Sequence, residues 1–265
     1  MSRLPPLFIS HGSPMLLLQN TAARAFLGSY GAQLGKPDAI VIASAHFETE
    51  RPSVVTDPAP GMIYDMHGFP KELYQVQYRA PGAPAVAQRV ARLLGDAGLA
   101  PDLVAERGYD HGTWVPLSLL YPDADIPVVQ IAVQPDMGPA HHLRMGEALS
   151  SLADENILVI GSGSLTHNLH ELRAPDGGRR ALADAEPAWV KEFADWVGDR
   201  IAAGDAEALA DYRARAPHAV RNHPTDEHYL PVLVAIGAAK GNRAGACIHS
   251  SHEYGVLRMD AFAFQ

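Results

Sequence analysis

Leu7-Phe8-Ile9-Ser10-His11-Gly12-Ser13-Pro14 is an apolar run that stops at a histidine, after which Gly12 and Pro14 break the chain into a loop. The construction returns at Ala39-Ile40-Val41-Ile42-Ala43-Ser44-Ala45-His46. Both runs read as buried strands that carry a histidine to their carboxyl ends. In open α/β sheets that edge is where sites are built. Read as neighbouring strand ends, the two runs make His11 and His46 candidates for one metal.

Outward from these strands, helical and extended segments alternate. Thr21 to Leu34 has helical apolar spacing, and Pro52 to Thr56 reads as a third strand. The stretch 57–83, rich in Pro, Gly, Tyr and His, reads as a long ordered loop over a site. Pro84 and Pro139 each open a helix, Pro127 to Val133 and Asn156 to Ser162 are further strands, and 174–180 is a polar turn. A long amphipathic helix follows, with Trp189, Phe193, Trp196, Val197 and Ile201 on its core face. A helical piece runs from Ala206 to Arg215. Thr225 or Asp226 then caps a last helix, with Glu227 and His228 in its first turn. Ala246 to Ser250 and Gly255 to Phe264 read as edge strands. The fold class is α/β, with a central mixed, largely parallel sheet, helices on both faces, and a single domain over residues 1–265.

Composition narrows the function. A formal charge of -9 with no basic run argues against a nucleic-acid partner, since phosphate binding needs clustered Lys and Arg. Pro5-Pro6 stands where a signal peptide would carry its apolar helix, and no stretch approaches the roughly 20 apolar residues of a membrane span. The reading is a soluble, cytoplasmic protein. A lone cysteine, Cys247, excludes an internal disulfide and a Cys-rich metal site, so any metal rests on His, Asp or Glu.

Further histidine-bearing segments complete a pattern: Asp110-His111-Gly112-Thr113-Trp114, Gly161-Ser162-Gly163-Ser164-Leu165-Thr166-His167-Asn168-Leu169 and Pro224-Thr225-Asp226-Glu227-His228-Tyr229-Leu230-Pro231. With the two strand ends, they resemble the LigB-like class III extradiol ring-cleavage dioxygenases, within them the DOPA-dioxygenase type, in the family's order along nearly the whole chain. The resemblance implies a mononuclear non-haem iron(II) site that opens a small catecholic, DOPA-like substrate next to its hydroxyls with dioxygen. Zinc(II) suits the same imidazoles.

Residue by residue, the resemblance puts His11 and His46 on the metal. The broader superfamily completes a two-His-one-carboxylate set, whereas the DOPA type places a histidine third. His228 matches that position, with Glu227 the adjacent alternative. His167 matches the catalytic acid-base histidine and His111 a second active-site histidine that donates to bound oxygen or to the ring oxygens. The glycines from Gly161 to Gly163 either let substrate approach the backbone or form a tight turn or anion nest, and Asn168 is a candidate to orient His167. His223 either assists or caps. His67 and the tyrosines of the 57–83 loop either line the substrate mouth or pack the loop. His141, His142, His170, His218, His249 and His252 read as surface or packing.

Two other functions use the same residues. A zinc hydrolase would activate water on the metal, and a non-enzymatic, Memo-like interaction protein would share the fold. His111 and His167 favour catalysis. A serine nucleophile at Ser13 or Ser164 lacks the Gly-x-Ser-x-Gly elbow.

Overall fold

The computed structural model describes residues 4–174, 176–241 and 243–265; the polar turn read at 174–180 includes Pro175, which lies outside them. Ten strands are present among these residues: β1 (Leu7–Ser10), β2 (Ala39–Glu48), β3 (Ser53–Val55), β4 (Asp102–Val104), β5 (Val128–Val133), β6 (Ile157–Gly163), β7 (Gly245–His249), β8 (His252–Glu253), β9 (Leu257–Arg258) and β10 (Ala261–Phe264). The helices are α1 (Ala22–Leu34), α2 (Pro84–Asp96), α3 (His111–Leu120), α4 (Gly138–Leu149), α5 (Ala188–Ala203), α6 (Ala206–Ala210), α7 (Tyr212–Arg215), α8 (Ala219–Asn222) and α9 (Leu230–Ala238).

Eight strands form one sheet in the order β4-β3-β5-β2-β6-β1-β10-β7. The centre, β5-β2-β6-β1, is parallel, and antiparallel pairs join β3 to β5, β10 to β1 and β7 to β10. The sheet is therefore mixed and largely parallel, as the sequence implies. Period-two alternation explains its two covers. Ile40 and Ile42 of β2 pack with Leu27 of α1 and Trp114 and Leu117 of α3, whereas Ala39, Val41 and Ala43 pack with α2, α4 and α9.

Several local readings need correction. β1 and β2 are not neighbours, because β6 runs between them; strand order along the chain does not determine order in the sheet. The Gly255 to Phe264 stretch divides into β9 and β10, and β10 lies inside the sheet, leaving β7 as the edge. Short, largely exposed β4 carries no buried apolar run for sequence to reveal. Trp189 and Trp196 are half-buried, while Val190 and Ala194 take the core face of α5. The helical piece from Ala206 breaks into α6 and α7. Glu227 and His228 sit in a turn before α9, whose start is set by Pro231 in its first turn.

Candidate metal centre

The register of the parallel strands brings the histidines together. Ser10 pairs with Gly163 and Ser44 with Ser162, so extending both registers puts His11 and His46 level with residue 164 of the intervening chain. There the backbone carries the third histidine as well: the Ser164 N–H donates to the His228 carbonyl at 2.9 Å. With strands about 4.8 Å apart, the two strand-end imidazoles lean toward each other over the end of β6.

Their Nε2 atoms meet. His11 Nε2 lies 3.1 Å from His46 Nε2, which lies 3.2 Å from His228 Nε2. Three nitrogens about 2.1 Å from one ion would be about 3.0 Å apart at right angles and about 3.4 Å apart if tetrahedral. The observed spacings fall between. The remote nitrogens settle where the protons sit. The Ser162 hydroxyl donates to the Gly112 carbonyl, so its oxygen accepts from His11 Nδ1–H at 3.1 Å. His228 Nδ1–H donates to Glu227 Oε1 at 2.9 Å, and His46 Nδ1 faces Asp65 Oδ2 at 3.5 Å. His11 and His228 thus carry their protons on Nδ1 and turn Nε2 lone pairs inward, and the same tautomer of His46 points its Nδ1–H at Asp65. Three Nε2 atoms that converge in this way are a donor set for a cation when all three turn lone pairs inward, with outer partners behind the imidazoles. His11, His46 and His228 can therefore hold a metal ion together. Glu227 reaches the back of His228 instead of the centre.

Burial first, and neighbouring imidazoles second, favour the neutral state that metal ligation needs. Burial, then His46 and the other histidines around it, holds His11 far below its ordinary value, and burial followed by His167 does the same to His228. Burial and His111 take His46 down to about 3, against the pull of Asp65.

Two more histidines flank the triangle. His167 stacks on His228 and turns Nδ1 toward Glu227 Oε1 at 4.0 Å; burial lowers it to about 4 despite that carboxylate. His111 begins α3 beside His46, with ring centroids 3.8 Å apart. Asp65 holds it twice, accepting the His111 backbone N–H at 2.9 Å and approaching Nδ1 at 2.9 Å. Burial alone would raise Asp65, but its contacts with His111 outweigh this and bring it down to about 2.

Asp65 is the residue sequence reasoning missed, since a loop without period singles out no member. Arg107 is another: its guanidinium covers the Phe47 ring, pairs with Asp110 at 2.9 Å and donates to the His46 carbonyl at 3.2 Å. Asp110 also accepts from Ser44 Oγ and caps α3, while burial raises its carboxyl against Arg107. The glycines have a different reason from either one read in the sequence. A Cβ on Gly161 would lie 2.0 Å from the Pro231 carbonyl oxygen, and one on Gly163 would lie 2.2 Å from that of His228. The backbone that approaches β6 here is the chain's own. Asn168 bonds the Arg221 carbonyl and caps a turn with its side chain, making no bond to the His167 ring. His223 is fully buried, bonded to the Leu165 carbonyl among Phe193, Tyr212 and Tyr229, away from the centre. Tyr64, Tyr74 and Tyr78 pack the core, whereas Met66 and Phe69 of the same loop line a cavity of about 360 Å³ that opens on all five central histidines.

With this geometry in view, comparison with known proteins is decisive. The family model for the catalytic LigB subunit of aromatic ring-opening dioxygenase matches residues 6–261. The chain belongs to the LigB family. Among its relatives, 4,5-DOPA dioxygenase extradiol of Beta vulgaris is 40% identical, covering 97% of this chain and 95% of that protein. The Escherichia coli K12 protein of the same name is 37% identical over 97% and 93%. A crystal structure of an uncharacterized Escherichia coli K12 protein superposes with a TM-score of 0.81 at 33% identity, covering 99% of this chain and 100% of that one. As a LigB-family member this chain is a ring-cleaving oxidoreductase. No helix among its described residues is long and apolar enough to cross a membrane.

Proposed function

We propose that this LigB-family chain opens the ring of a DOPA-like catechol beside its hydroxyls, inserting both atoms of dioxygen, at one metal ion held by Nε2 of His11, His46 and His228. The observation that carries the reading is the convergence of the three Nε2 atoms, with Ser162, Asp65 and Glu227 behind the rings and His111 and His167 beside them. Iron(II) is the metal this chemistry calls for, because activating dioxygen needs a redox-active ion and zinc(II) has no redox chemistry. When bound, it supplies Lewis acidity for the catechol oxygens and a redox route to dioxygen. Zinc(II) binds imidazole at least as well, so a purified sample can carry it without being a zinc enzyme.

The chain's own groups manage protons. A catechol that chelates through both oxygens must lose its hydroxyl protons. His111 and His167 are the two acceptors: a carboxylate faces Nδ1 of each, which leaves Nε2 free to accept a proton. Donation from His111, the role the family resemblance implies, follows only after it has gained a proton, since its neutral Nδ1–H faces Asp65. The apolar wall of the cavity excludes water from the ring. Both oxygen atoms enter the product, so no external reductant is consumed. The test is anaerobic iron(II) reconstitution followed by a panel of catechols, reading oxygen uptake and the yellow ring-opened product. Uptake with none of them overturns the proposal; ester hydrolysis by a zinc-loaded sample would replace it.

A further inference from the structure

Beyond the histidines and Asp65, the cavity wall is largely apolar, with Met15, Phe69, Leu172 and Leu257 among its members, and among the described lining residues only Arg179 is an arginine or lysine. A second cavity of about 440 Å³ adjoins the first, and the two share Met15, Phe69, Arg179 and Tyr254. The five central histidines line only the first. Arg179 therefore stands where the two cavities join, outside the histidine cluster. It is exposed, and among the described residues no carboxylate pairs with it, while Arg180 and His67 line the second cavity beside it.

We propose that Arg179 determines specificity, selecting catechols whose side chain ends in a carboxylate and holding that group at the junction while the ring lies at the histidines. The inference rests on the ring-opening reading and deepens it. Near the metal centre Asp65 and Glu227 already face histidines, so a second anionic group of the substrate gains nothing there. The guanidinium offers that group a planar, two-pronged donor. A side chain ending in ammonium meets like charge at the same point. The substrate class is thus amphiphilic along its length: a diol at one end, an apolar ring and short chain against Met15 and Phe69, and an anion at Arg179.

The experiment compares 3-(3,4-dihydroxyphenyl)propionate, 4-ethylcatechol and dopamine as substrates of the iron(II)-loaded wild type and of Arg179→Gln, Arg179→Lys and Arg179→Glu. The ratio of kcat/KM for the acid to that for ethylcatechol should fall roughly 10- to 100-fold in Arg179→Gln, mainly through KM, a range typical of a lost charge-assisted hydrogen bond. Arg179→Lys should fall between, and Arg179→Glu should move the preference toward dopamine. Calorimetric binding of the acid to metal-free protein should weaken in the same order. Ratios and binding equal across all four proteins would overturn the proposal. If the wild type turns over no catechol, the ring-opening reading fails, and the binding series alone still decides the role of Arg179.

Discussion

His167 lies flat against His228, with ring centroids 3.4 Å apart and planes 10° from parallel. Under the proposed function the contact sets an acid-base group against a ligand without making it one, because the three converging Nε2 atoms already supply the set. His167→Ala should keep near-normal metal content and lose roughly 100- to 10,000-fold in turnover, the usual range for a positioned proton-transfer group. His46→Ala should lose the metal itself. His167→Phe keeps a ring on His228 and separates packing from proton transfer. Metal analysis beside single-turnover oxygen consumption checks this; a His167→Ala protein as depleted as His46→Ala would make His167 a ligand.

Asp65 touches two histidines at once, so replacing it by Asn keeps its shape and removes its charge. Asp65→Asn should weaken zinc(II) binding by roughly 10- to 100-fold, as loss of an outer partner commonly does, and lower turnover further through His111. Chelator competition gives the first number and oxygen uptake the second. Wild-type values for both would show that the loop carboxylate positions neither histidine.

Gly163 has no room for a methyl group, because its Cβ would press on the carbonyl of His228. Gly163→Ala should push the third ligand off the centre and cost about 1–3 kcal/mol of stability from overpacking. Metal titration and urea unfolding on one preparation test both effects. Tight metal binding in that variant would mean that the His228 segment is not fixed by β6.

Acid sensitivity of the metal-free protein should trace partly to His142, remote from the metal centre. Its Nε2 accepts the Gln134 N–H and its Nδ1 donates to the Gly138 carbonyl, and burial lowers it from the ordinary 6.5 to about 4. Because the folded value lies below the unfolded one, the unfolded chain takes up this proton first. Stability from this group is full above about pH 6.5 and falls as pH drops toward 4, with about 2 kcal/mol gone at pH 5. Urea midpoints at pH 7 and pH 5 should differ less in His142→Gln than in the wild type. An equal difference in both would assign the acid loss elsewhere.

What the sequence revealed followed local physics. Apolar runs disclosed β1, β2, β5 and β6, and the histidines at their ends or in their motifs are the ones that converge. What it concealed depends on contacts distant in the chain. Nothing local says that β6 separates β1 from β2, that Gly161 and Gly163 are small to admit the backbone of residues 228 to 231, or that Asp65 in a loop without period reaches both His46 and His111. Glu227 is similar: adjacent to His228 in sequence, it lies behind it in space, and only the fold distinguishes the group that faces the centre from the partner that orients it.

The Nε2 triangle also has a meaning for the chain as a polymer. An ion gripped there fastens together three points separated by 35 and 182 residues. Closing the longer loop costs a flexible chain only about 1.5 kcal/mol more than closing the shorter, so the great sequence distance to His228 is no obstacle to using it. Such an ion would be a clasp at the crossing of two large loops. When it is taken away, hydrogen exchange should quicken together at the ends of β1 and β2 and at the start of α9, three places remote in sequence that slacken as one.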